Sequence, residues 1–303
     1  MKTQASLLAT LFANALAAHG TAGASAPLLV AAGGERLGLQ AWAVGPLARA
    51  TPFELPGSRG LLGYGGMASD GARVVIGNGT TLAVYDLRAR RLTFVPDRFG
   101  HPLDVAFGRD GTLYVANLRA DSANVAVYPR NAAPRQVGCA ALVAPDHLAV
   151  DDEGDIFVTQ NGARPGVVEI PAGPNGPDGA RCTALALDPG VAGYAAGVAI
   201  DPKTDDLLVL DNPSRCAGGL EGRVTVYRRP YGRARGRSLV LGRNCASGLK
   251  LSAGSTLLYL GDEGTAGPPE IILQYGYPSG RYLGAYGGGE PGAFVPLPAP
   301  LPN

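Results

Sequence analysis

The chain has 303 residues, 46% hydrophobic and 17% charged, with a formal net charge of +1, so no bulk electrostatic pull toward nucleic acid or another polyanion is expected. Glycine (45 residues) and proline (25 residues) beside that apolar fraction point to a folded chain of many short strands and tight turns, and no helical pattern of useful length interrupts it. Of the 26 basic residues only Lys2, Lys203 and Lys250 are lysine, a bias that lowers the weight of any single arginine as a functional signal.

The first 26 residues follow the order of a secretory signal: one Lys, an apolar run from Ala5 to Ala18, then small residues ending in Ala24-Ser25-Ala26. The run is too short to span a bilayer, and cleavage is expected after Ala26. That leaves residues 27–303 as one exported domain, secreted or periplasmic, without a membrane span. An oxidising destination makes the four cysteines, Cys139, Cys182, Cys216 and Cys245, disulfide candidates. None stands in a CxxC pair, which argues against a thiolate zinc site.

Residues 28–55 carry three strand patterns, with Trp42 in the second. Five segments then repeat one grammar, starting at Gly66, Asp104, His147, Gly197 and Gly248. Each has a short apolar strand, a Gly- or Asp-containing turn, a second apolar strand, a variable loop, an alternating third strand and a weaker fourth. Four antiparallel strands in about 40 to 50 residues is the dimension of a propeller blade. Residues 28–55 lack a first strand, and 292–298 ("GAFVPLP") can supply it, although Pro296 and Pro298 make this the weakest strand of the set. The expected fold is therefore all-β: a monomeric six-bladed propeller of four-stranded antiparallel blades, its ring closed by N- and C-terminal strands.

Two stretches, "PLDVAFGRDGTLYVAN…VAVY" and "AAGVAIDPKTDDLLVLD…RVTVY", resemble NHL repeats, and the resemblance extends over roughly residues 28 to 298. It implies that the first strand of each blade lines the central axis. The wider superfamily includes gluconolactonase-like and virginiamycin B lyase-like proteins as well as binding modules, so fold alone does not select an activity.

With the first strands on the axis, first-strand starts and second-strand ends share one mouth of the channel. The second-strand ends are Asn78, Asn117, Gln160, Asp211 and Asp262, and Asp104 and His147 join them from first-strand starts. All can exchange hydrogen bonds with a ligand, and long loops begin there, so this mouth is the expected binding site for a small molecule, glycan or protein. Short Asn and Asp side chains can equally tie down the following turn. Asp211 and Asp262 together offer a partial oxygen set for calcium or another divalent cation, without making a cofactor an expectation.

Catalysis has few candidates. His19 leaves with the signal, so a three-histidine zinc centre cannot form, and no G-x-S-x-G elbow exists. A gluconolactonase-like metal site, as the resemblance implies it, needs acidic or amide residues just before the repeat glycines, where this chain has Gly65, Leu103, Asp146, Ala196 and Ser247. Only Asp146 matches. His147 with Asp146 and Asp104 remains the best candidate for a lactonase or lyase, behind a binding role. "DDEGD" (151–155) aligns with turns rather than with a calcium loop. Residues 228–237 hold five arginines on the face away from the mouth, where a solvated hairpin is expected. Cys216 and Cys245 both fall at the mouth face and are expected to form a disulfide. Cys139 and Cys182 fall late and early in fourth strands of neighbouring blades, an arrangement that does not favour a bond.

Overall fold

A computed structural model describes residues 27–32, 38–44, 52–61, 65–119, 122–162, 165–188, 190–212, 222–231, 238–240, 245–262, 271–287 and 293–297. Residues 1–26, read above as a secretory signal, residues 213–221 with Cys216, residues 263–270 and most of the arginine-rich segment lie outside them. Six four-stranded antiparallel sheets make up the chain, and a three-residue 3₁₀ turn, Gly179–Arg181, is the one helical element among the described residues.

Blade 1 comprises Met67–Ser69, Arg73–Asn78, Thr81–Asp86 and Arg91–Pro96. Blade 2 comprises His101–Phe107, Leu113–Leu118, Ala123–Tyr128 and Arg135–Gly138. In blade 3, Pro145–Val150, Ile156–Gln160, Gly166–Ile170 and Thr183–Ala184 are joined on one side by a small hairpin, Ala172–Gly173 with Gly176–Pro177. Blade 4 comprises Tyr194–Ile200, Leu207–Asn212, Arg223–Tyr227 and Ser238–Val240, and blade 5 Ala246–Leu251, Leu257–Asp262, Ile271–Gly276 and Arg281–Gly287. Blade 6 takes its first strand from the C-terminal end, Phe294–Pro296, and the other three from Leu28–Ala32, Leu39–Ala43 and Phe53–Glu54. The closing register is Leu29 with Pro296, Val30 with Val295 and Ala31 with Phe294. Pro296, at the end of this short strand, does not prevent the pairing.

Each sheet is buried on both faces, which is why the second strands read as unbroken apolar runs rather than alternating ones. Their period of two divides each run between the two neighbouring blades. Val74 and Ile76 pack with Val30 and Leu39 of blade 6, while Val75 between them packs with Val105 and Val115 of blade 2. Tyr114 and Ala116 face Leu148 and Val158 of blade 3, whose Phe157 faces Val198 and Val209 of blade 4. Leu208 and Leu210 meet Leu249 and Leu258 of blade 5, and Tyr259 completes the circuit against Trp42 and Phe294 of blade 6. The core is thus six apolar seams, one at each blade boundary. First strands neighbour one another around the ring and line the axis.

Across one seam runs a covalent clasp. Cys139, just after the fourth strand of blade 2, is bonded to Cys182, just before that of blade 3, with Cα atoms 5.8 Å apart. This corrects the sequence expectation: the hairpin inserted in blade 3 and the turn Gly179–Arg181 carry Cys182 back onto the end of blade 2. Gly179 lies so close to that strand that a Cβ there would stand 1.9 Å from the Gly138 carbonyl oxygen. Cys245 is buried and disulfide-bonded, while its expected partner Cys216 lies outside the described residues.

Non-reducing peptide mapping should recover Cys139–Cys182 and Cys216–Cys245 peptides and no free thiol. Because the first bond closes a separation of 43 residues, Cys139→Ser should lower the unfolding free energy by about 4 kcal/mol in urea titrations. An unchanged midpoint would show that the clasp does not stabilise the fold through loop closure.

Candidate functional site

In blades 2 to 5 the pairing of first and second strands slips at one common level, between Pro102 and Asp104, Pro145 and Leu148, Ala195 and Gly197, and Ser247 and Leu249. Such bulges bend a strand and re-aim its side chains. At this level Asp104 and His147 meet, from adjacent blades, where the equivalent positions are Gly66, Gly197 and Gly248. The glycine at 66 makes room: a Cβ there would lie 1.7 Å from Asp104 Oδ1.

Asp104 is only 1% exposed. Its Oδ1 accepts the Val105 amide at 2.8 Å and its Oδ2 the Leu148 amide at 3.0 Å, so the carboxylate is fixed by backbone from both blades. His147 Nδ1 lies 3.4 Å from Asp104 Oδ2, and its Nε2 faces Asp146 Oδ1 at 3.8 Å, too far for a direct hydrogen bond. The His147 backbone is pinned by Thr159, whose Oγ1 accepts from the His147 amide at 2.9 Å. Asp146 is more open, its other oxygen accepting from Tyr194 OH at 2.8 Å and from Asn161 Nδ2 at 3.0 Å.

A fourth charge arrives from the far side of the ring. Lys250, in the first strand of blade 5, places Nζ 3.6 Å from Asp104 Oδ1, so the ion pair spans the axis between opposite blades. Nothing in the repeat alignment singles out Lys250, which stands two residues beyond the aligned Gly248. Its signal was scarcity, one of three lysines in an arginine-biased chain, in the otherwise apolar "GLKL".

The electrostatics follow from this geometry. Burial pushes the Asp104 carboxyl upward, but Lys250 and His147 outweigh it and hold it below the usual carboxylate range. For His147, burial acts downward, yet Asp146 and Asp104 prevail over it and over Lys250, so the imidazole keeps its proton to higher pH than free histidine does.

The second-strand ends take a different place. Asn117 Nδ2 donates to Asp97 at 3.0 Å, Gln160 Oε1 accepts from the Val143 amide at 3.0 Å, Asp211 accepts from the Ala192 amide at 3.0 Å, and Asp262 from the Cys245 amide at 3.1 Å. In every case the partner lies in the crossing that leads into the first strand of the same blade, so these four act as repeated latches at the mouth. Asp211 also pairs with Arg223 at 2.9 Å, and Asn78 Nδ2 reaches Thr81 in its own turn at 3.1 Å. No direct contact among the described residues joins Asp211 or Asp262 to Asp104 or His147. His101 is exposed at the start of its strand.

On the opposite face the acidic turn 151–155 is closed by Asp151 Oδ1 accepting from the Glu153 and Asp155 amides at 3.0 and 2.8 Å. Arg229 crosses from blade 4 onto it, 2.8 Å from Asp155, 3.0 Å from Glu153 and 3.2 Å from Asp151. The expectation of a solvated hairpin is therefore corrected for Arg229, which is an inter-blade pin. Burial, with Asp155 and Asp205 nearby, pushes the Asp151 carboxyl up to about 6 against the pull of Arg229.

Fold and site together define a six-bladed β-propeller with a charged cluster set into its axis. Among solved structures the chain is similar to TolB from Acinetobacter baumannii, at 12% identity and a TM-score of 0.65 over 93% of this chain and 68% of that one. It is also similar to the gluconolactonase XC5397 from Xanthomonas campestris, at 16% identity and a TM-score of 0.60 over 84% and 86% of the two chains. The tricorn protease shares 13% identity at a TM-score of 0.52, over 70% of this chain and 21% of that one. At such identities the likeness is one of fold. No protein-family model matches the sequence, and no curated protein matches it.

A histidine whose pKa is raised on folding stabilises the native state fully below its unfolded value, and that contribution disappears as pH rises through the folded value. Wild type should therefore be more stable than His147→Gln at about pH 6, by a margin that shrinks toward about pH 9 in urea titrations. Imidazole NMR should place the His147 titration above that of free histidine. A margin that grows with pH contradicts the assignment.

Proposed function

We propose that this protein is an exported binding module whose ligand enters the channel mouth and meets Asp146, His147 and Lys250, with Asp104 beneath them. The observation that carries this reading is the convergence of charges from blades 2, 3 and 5 at a level where the ring itself asks only for small or apolar residues. Buried charges are rare and costly, and propeller mouths are common ligand sites. Asn117, Gln160, Asp211 and Asp262, with Asn78, shape the rim that the ligand passes. The Cys139–Cys182 bond fits an oxidising compartment, secreted or periplasmic, reached through cleavage after Ala26. No helix among the described residues is long and apolar enough to cross a membrane.

The second reading, a metal-assisted lactonase or lyase, draws on the Asp104–His147 pair, which has the form of a carboxylate orienting an imidazole. It is weakened by Asp146 and Asp104, which raise the imidazole's pKa and so disfavour the neutral form that a general base needs.

Isotope-labelled histidine NMR, with a panel of organic acids, amines, sugars and short peptides, tests the binding reading. At least one member should shift the His147 ring resonances saturably, and His147→Ala should weaken its binding by about tenfold or more, the loss of one charge-assisted hydrogen bond. Lactones should not be turned over. Stoichiometric divalent metal together with lactone turnover that disappears in His147→Ala would replace this reading by the enzymatic one.

A further inference from the structure

The site is oversupplied with hydrogen-bond donors. The Lys250 ammonium carries three N–H groups, and its ion-pair partner among the described residues, Asp104, stands at 3.6 Å, beyond hydrogen-bond reach. Each Asp104 oxygen already accepts a backbone amide, and the carboxylate is held by both blades where it stands rather than drawn toward Lys250. His147 Nε2 lacks an acceptor within hydrogen-bond distance as well, with Asp146 Oδ1 at 3.8 Å. Nearly buried donors of this kind call for an acceptor, and charge-assisted bonds to a carboxylate are the strongest available. The fixed charges limit that acceptor. Asp104 and Asp146 balance Lys250 and His147, so a single negative charge is tolerated and a doubly charged phosphate meets two carboxylates a few ångströms away. Asp146 adds a further demand. Its Oδ2 is taken by Tyr194 and Asn161, but Oδ1 faces the channel beside Nε2 and can accept from a hydroxyl.

Resting on the binding reading above, we propose that the ligand is a small 2-hydroxy monocarboxylate. Its carboxylate bridges Lys250 Nζ and His147 Nε2, and its hydroxyl donates to Asp146 Oδ1. The bound carboxylate thereby supplies the acceptors that Asp104 cannot.

Calorimetry on the purified full-length protein at low salt tests this with lactate, propionate, methyl lactate, inorganic phosphate and glucose as probes. Lactate should bind saturably, propionate several-fold more weakly, and methyl lactate, phosphate and glucose not measurably. Lys250→Met should weaken lactate at least tenfold, and Lys250→Arg should keep most of the binding. The comparison of lactate with methyl lactate uses wild type alone and stands even if Lys250→Met fails to fold. Methyl lactate or glucose binding as tightly as lactate overturns the carboxylate assignment, and so does lactate binding that is indifferent to Lys250→Met. If glucose or another neutral probe binds and shifts His147, the channel site survives and only its ligand class falls. If no probe and no member of the wider panel shifts His147, the binding reading itself falls.

Discussion

Pairing between Phe294–Pro296 and Leu28–Ala32 is the constraint on which the rest of the structure depends. A propeller blade buries both faces of its sheet only while it has a neighbour on each side. Three residue pairs, reinforced by the seam in which Trp42 and Phe294 pack with Tyr259, turn an open stack into a ring. The functional geometry inherits this closure directly. Lys250 and Asp104 stand on opposite blades, and the 3.6 Å between them is fixed by the complete circuit rather than by any local turn. A change at the terminal strand is therefore a change at the axis.

Within the ring, rigidity and polarity are distributed by level. The second and third strands carry most of the apolar seams between blades, the fourth strands are largely exposed, and polar side chains gather where strands end. At the mouth Asn117, Gln160, Asp211 and Asp262 latch each crossing to its own blade. On the other face Arg229 pins blade 4 to the acidic turn of blade 3. Between those layers the bulges of blades 2 to 5 release a few side chains from the ladder, Gly66 of blade 1 leaves room for Asp104, and Gly197 of blade 4 lets the first strand of blade 5 come close. The charged cluster occupies the one level where pairing is already interrupted, so its burial does not break regular hydrogen bonding.

Much of this was legible in the sequence, for a physical reason. A repeat that buries both sheet faces must spell apolar runs at a fixed spacing, so the blades, their order and the terminal closure could be read from segments such as 104–130 and 292–298. Asp104 and His147 were legible because they replace glycine at a repeated position. The sequence alone could not separate a ligand role from a latching role for Asn117, Gln160, Asp211 and Asp262, because an oxygen that ties down a crossing and one that meets a ligand are spelled with the same residues. Lys250 was missed because its partner lies across the ring, a relation no local pattern encodes. Cys139–Cys182 was missed because an insertion, the hairpin 172–177, moved one cysteine to the end of the neighbouring blade.

The cluster's chemistry turns on where protons sit. A neutral imidazole between two carboxylates could accept a proton from a substrate, whereas an imidazolium can only donate and attract. Asp104 alone would orient His147 without settling this, since orienting carboxylates are common to bases and to cation sites. Asp146, facing the other ring nitrogen, adds a second negative charge and raises the imidazole's pKa further. Lys250 offsets part of this by pairing with Asp104 from across the axis and by its own positive charge. Lys250 and the imidazole thus share one level of the axis with two carboxylates, Asp104 fixed by backbone amides from both blades and Asp146 by Tyr194 and Asn161, so the charges are held in place by groups outside the cluster.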